Sequence, residues 1–139
     1  MKKCNFCKGL TTHAEPKTLA GIAVFLLSLV IVTPLCGLLF ACGCSWPWSG
    51  FVSACNYYHT VAGHRCPWCA SQIAGWLSVS LAIAAGVSTA LLARFNAKHA
   101  NAAECLVRIS LGIFVFTIIA VFGAWAALKL QGYPLGLLV

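Results

Sequence analysis

Four consecutive residues, Cys66-Pro67-Trp68-Cys69, have the types and spacing of an exchange-active dithiol. Proline is favoured at the first position of a helix. The motif therefore predicts a helix that starts at Pro67, with Cys66 as its N-cap and Cys69 in its first turn. A Cys66 thiolate there accepts a hydrogen bond from the unsatisfied N–H of Cys69. The helix dipole, Arg65 and His64 all favour the charged sulfur. Because the thiolate is the nucleophilic form, the expected chemistry is thiol–disulfide exchange. Cys66 attacks, Cys69 resolves, and Arg65 supports the thiolate. A structural disulfide and a metal site use the same residue types.

Nine cysteines in 139 residues give that motif company. Cys42, Cys44 and Cys55 precede it and are candidates for disulfides or for relaying a disulfide to the Cys66–Cys69 pair. His59 and His64 stand a few residues upstream, and imidazole with thiolate suits zinc or copper. Cys4-Asn5-Phe6-Cys7 is a second CxxC, supplying half of a zinc site. His13, His99 or Cys105 could complete it. Covalent haem attachment is excluded at the first motif, since Cys69 is followed by Ala70 where histidine is needed. Cys36 reads as a small apolar packing residue.

Other chemistries lack their residues. The sequence has no glycine-rich phosphate loop and no nucleophile elbow. Its two acidic residues, Glu15 and Glu104, form no carboxylate pair for acid–base hydrolysis.

The elements that must position the cysteines are set by composition. The chain is 61% hydrophobic and 8% charged, against about 25% charged in soluble domains. No Asp, Glu, Lys or Arg falls between Lys17 and Arg65, between Arg65 and Arg94, or between Arg108 and Lys129. A helix needs roughly 20 apolar residues to cross a bilayer. Lipid offers no partner for free backbone groups, so such runs span as helices. The fold class expected is all-α, an integral membrane three-helix bundle with spans at about 19–41, 70–93 and 109–128. Residues 1–18 form a tail before the transmembrane domain (19–130), and residues 131–139 form a short tail after it.

Orientation follows from the basic residues. Lys2, Lys3, Lys8, Lys17, Arg94, Lys98 and Arg108 flank one side, against Arg65 and Lys129 on the other. The positive-inside rule then puts the N-terminus in the cytoplasm and the cysteine-rich first loop and the C-terminus outside, in a plasma membrane, the inner one in a bacterium. The outer compartment is oxidising and the inner one reducing. The net charge of +7 is spent on flanking the spans, so the expected partner is the lipid bilayer and not nucleic acid.

Within the spans, Ala70, Ala74, Ser78, Ala82, Gly86 and Ala90 recur every four residues and predict a close helix–helix contact, within the chain or with a partner. Pro34 interrupts the first span. Trp46, Trp48, Trp68 and Trp76, with Tyr57 and Tyr58, predict an aromatic belt at headgroup depth. The third span reads as an ordinary lipid-facing helix.

The CPWC sequence at the outer mouth of the second span resembles the membrane enzymes that pass electrons from protein thiols to quinone, namely the bacterial disulfide-bond-forming quinone reductases and the vitamin K epoxide reductase-like proteins. The resemblance covers Cys66 to Cys69 and the local topology. It implies a quinone cofactor, a periplasmic thiol protein as partner, and a shuttle pair drawn from Cys42, Cys44 and Cys55. Those families have at least four spanning helices where this chain has three. The alternatives are a copper- or zinc-binding membrane protein, with Cys4, Cys7, His59 and His64 as candidate ligands, and a small accessory subunit of a larger membrane complex.

Overall fold

The structure, a computed structural model, describes residues 16–40, 66–93 and 101–132. They form four helices: α1 (Pro16–Phe40), α2 (Pro67–Ala70), α3 (Gln72–Leu92) and α4 (Asn101–Gln131). Three are long and apolar enough to cross a membrane, over Pro16–Phe40, Ile73–Leu92 and Ala102–Gln131. They pack against one another as a bundle, and α2 is a single turn lodged against α3 and α4.

Size sorts the residues of this bundle more than polarity does. Ala20, Ala82, Ala90, Ala120, Ala124 and Ala127 are buried. Ile22, Leu26, Leu38, Leu77, Leu81, Phe114 and Phe122 face outward. Small interior residues let helix backbones approach, and large apolar ones make the surface that lipid wets. The four-residue stripe of the second span is part of that interior. Its members Ala82, Gly86 and Ala90 are buried, Ala74 and Ser78 are half-buried, and Ala70 at the far end is exposed. The stripe packs within the chain. A Cβ on Gly86 would come 2.8 Å from the Gly112 carbonyl oxygen, and one on Gly112 would come 2.9 Å from the Gly86 carbonyl oxygen. The two glycines thus mark where α3 and α4 touch backbone to backbone.

The third span departs from its expected role. Beyond facing lipid, α4 packs on both other spans, and its buried face runs Cys105, Arg108, Gly112, Phe116, Ala120, Ala124 and Ala127. It also begins at Asn101, ahead of the expected start near residue 109. Arg108, one of the basic residues flanking the spans, is only 3% exposed. Its guanidinium donates to Glu104 Oε1 from Nε at 3.0 Å and from Nη2 at 2.7 Å, and from Nη1 to the Ala90 carbonyl at 2.9 Å. Two charges four residues apart on one helix neutralise each other. The helix therefore continues through residues that a hydropathy reading treats as its boundary. Gly132, at φ +61°, then ends α4 in the left-handed conformation that suits glycine.

The first and second spans shift by smaller amounts. The helix α1 continues through Pro34, which has no N–H to donate to the Val30 carbonyl. The second span is split at Ser71, whose extended backbone (φ −120°, ψ 100°) closes α2. The Ser71 hydroxyl accepts from the Ala74 N–H at 3.3 Å and so caps α3.

Candidate functional site

The site is built where α1, α2 and α4 end together. Pro67 occupies the first position of α2 and Cys66 is its N-cap, as the motif predicts. The Ala70 N–H donates to the Cys66 carbonyl at 2.8 Å, which closes the turn. Gln131, in the last turn of α4, donates from Nε2 to the Pro67 carbonyl at 2.9 Å and ties α2 to that helix. On its other side α2 sits on Gly75, where a Cβ would lie 2.5 Å from the Trp68 carbonyl oxygen. Only glycine leaves room for the short helix at this depth.

The sulfur of Cys66 goes elsewhere than its sequence suggests. No side chain caps α2, so the hydrogen bond expected from the Cys69 N–H is absent. Cys66 is fully buried, with its Sγ 3.2 Å from Sγ of Cys36 on α1. Both residues carry thiols. Cys36 packs in the core, as its type suggests, and there it meets a second sulfur. It lies on the inward stripe of α1 with Ala20, Val24 and Ser28, each buried and spaced by multiples of four. That spacing was the available signal for it.

Both cysteines belong to a buried apolar cluster that also includes Leu39, Phe40, Trp68 and Leu128. Trp68 is 7% exposed and packs edge-on against Phe40, with ring centroids 5.3 Å apart and planes at 77°. It belongs to the core, whereas Trp76, 74% exposed, faces outward as a belt residue would. The indole Nε1 of Trp68 is buried and has no hydrogen-bond partner among the described residues. The ring also lines a groove of about 250 Å³ shared with Val32, Gly75, Trp76 and Val79.

The sulfur separation discriminates between chemistries. A disulfide holds its sulfurs about 2.05 Å apart. Two thiolates on one tetrahedral zinc, at Zn–S distances near 2.3 Å, stand about 3.8 Å apart. The observed 3.2 Å lies inside the zinc spacing. Closing it to a disulfide takes a movement of about 1 Å. Among the described residues no group of three or more His, Cys, Asp or Glu is placed to hold a metal ion.

The remaining candidates fall elsewhere. Cys4, Cys7, Cys42, Cys44, Cys55, His59, His64 and Arg65, with His13 and His99, lie outside the described residues. Cys69 belongs to α2, but its side chain is likewise outside them. Cys105 is buried at the opposite end of the bundle, in the apolar cluster of Ala20, Val24 and Ala90.

No protein-family model, no curated protein and no solved structure matches the chain.

Proposed function

We propose that this protein is a membrane thiol–disulfide redox protein in which Cys66, within the CPWC motif, is the exchanging sulfur. The observation that carries the reading is the second sulfur, 3.2 Å from Cys66, both sulfurs belonging to one buried apolar cluster. A buried thiol needs no sulfur partner for packing, and two brought together at the mouth of a CxxC helix suit two-electron chemistry.

The orientation proposed is the one the basic residues favour. The Cys66 end faces the outside of a plasma membrane, and the Arg108 end faces the cytoplasm. An exported protein dithiol is then the electron donor. The acceptor that fits is a lipid-soluble quinone, reached from the bilayer by the groove beside Trp68. In the step, the cysteine pair loses two electrons and two protons to become a disulfide, and the quinone gains both to become a quinol.

The test uses protein purified in mild detergent, reduced, and mixed with a short-chain benzoquinone. Thiols are counted by mass spectrometry and the quinone is followed by its ultraviolet absorbance. Loss of two thiols per quinone consumed, abolished in Cys66→Ala, is the expected result. Unchanged thiol counts, with stoichiometric zinc or copper in parallel metal analysis, would replace the redox reading with a metal-binding one.

A further inference from the structure

A CxxC motif accounts for Cys66 and Cys69 but gives Cys36 no task. Cys36 and Cys66 come from different helices, 30 residues apart in sequence, yet their Sγ atoms stand 3.2 Å apart. Both are shielded, at 8% and 0% exposure. Three features hold them in register: the inward stripe of α1, the Gln131 hydrogen bond to the Pro67 carbonyl, and the Phe40–Trp68 ring contact.

We infer that Cys36 is the resolving thiol of Cys66, so that a disulfide formed at Cys66 with Cys69 is handed on to Cys36. The inference rests on the redox reading above and assigns that reading a third sulfur. In the step, the Cys36 sulfur attacks Sγ of Cys66. The Cys36–Cys66 bond forms, the Cys66–Cys69 bond breaks, and the proton that leaves Cys36 ends on Cys69. The oxidation of the Cys36 sulfur is matched by the reduction of the Cys69 sulfur, so one disulfide and one thiol stand on each side and no outside oxidant is consumed. The exchange shifts the disulfide from the motif at the start of α2 to a sulfur on α1.

The experiment maps disulfides in the full chain in mild detergent, for the wild type, Cys69→Ala and Cys36→Ala. Each is equilibrated in glutathione buffers from reducing to oxidising, quenched in acid, alkylated, digested and analysed by mass spectrometry. The wild type should yield a peptide linking Cys36 to Cys66. Cys69→Ala should retain that link, and Cys36→Ala should lose it while its Cys66–Cys69 peptide rises. If the wild type forms the Cys66–Cys69 link, yet no Cys36–Cys66 link appears in it or in Cys69→Ala at any poise, the inference is overturned and the redox reading stands. No disulfide at Cys66 in any of the three proteins removes both. The wild-type map needs no substitution, so a variant that misfolds does not blunt the result.

Discussion

The contact between Gly86 and Gly112 makes a quantitative test of how the bundle is held. A methyl group on Gly86 would meet the Gly112 carbonyl oxygen at 2.8 Å and the Phe116 Cβ at 3.0 Å, both backbone or near-backbone atoms that cannot swing away. Favourable carbon contacts begin at about 3.5 Å, so α3 and α4 must part by roughly 0.5 Å or more. Over-packing of this kind costs about 1–3 kcal/mol. Replacing glycine by alanine in a helix returns at most about 1 kcal/mol. Gly86→Ala is therefore expected to lose about 1 kcal/mol net, while Gly86→Leu, whose whole side chain must be housed, loses about 3 kcal/mol, somewhat more than a hundredfold in the unfolding equilibrium. Ala84→Leu is the control, on the same helix but exposed. The assay is unfolding by sodium dodecyl sulfate in mixed micelles, followed by tryptophan fluorescence and circular dichroism. If Gly86→Leu moves the midpoint no further than Ala84→Leu, the close approach of the two helices does not hold the bundle together and the reasoning fails.

Four further outcomes are expected. Arg108→Gln removes three hydrogen bonds and leaves Glu104 without its guanidinium, a loss of about 3 kcal/mol in the same assay. Adding Glu104→Gln should recover part of it, and no recovery would mean the ion pair is not what Arg108 contributes. Ser28 is fully buried with a hydroxyl that has no hydrogen-bond partner among the described residues, so Ser28→Ala should be neutral or stabilising by about 1 kcal/mol; a clear loss of stability would reveal a hydrogen bond there. Reporter fusions should place residues 12 and 100 in the cytoplasm and residue 60 outside, and the reverse for residue 60 would undo the proposed orientation. A Cys4→Ser, Cys7→Ser variant should still insert and fold, with metal analysis before and after showing whether that pair binds zinc.

Much of the scaffold was readable because bilayer physics writes it in coarse letters. Long charge-free runs announced α1, α3 and α4, and the spacing from Ser78 to Ala90 announced the tight face of α3. The errors share a cause, which is that residue type was taken for environment. Arg108 was read as a boundary because a lone arginine is solvated, but Glu104 four residues earlier changes its cost. Trp68 was assigned to the belt because tryptophan is amphipathic, but Gly75 opens a seat for it in the core. The motif itself was legible down to the N-cap and Pro67. The approach of Cys36 was not, because it depends on the depth at which α1 and α2 meet, and no local pattern encodes that. The register of Cys36 with Ala20, Val24 and Ser28 did reveal which way it faces.

The three spans differ in length, and the difference makes the bundle a gauge of its surroundings. At 1.5 Å per residue, the 21-residue α3 measures about 32 Å, the 25-residue α1 about 38 Å and the 31-residue α4 about 46 Å. A hydrocarbon core is about 30 Å thick, so α3 matches it nearly upright while α1 and α4 must lean or overhang. The Gly86–Gly112 contact sets α3 against the middle of α4, so α4 runs past α3 at both ends. Gln131 fastens one end to α2, and near the other the Arg108 guanidinium, paired with Glu104, holds the Ala90 carbonyl of α3. A bilayer that α3 crosses upright therefore leaves α1 and α4 a surplus of length to take up by tilt or by overhang, and α4 is pinned near both of its ends while it does so.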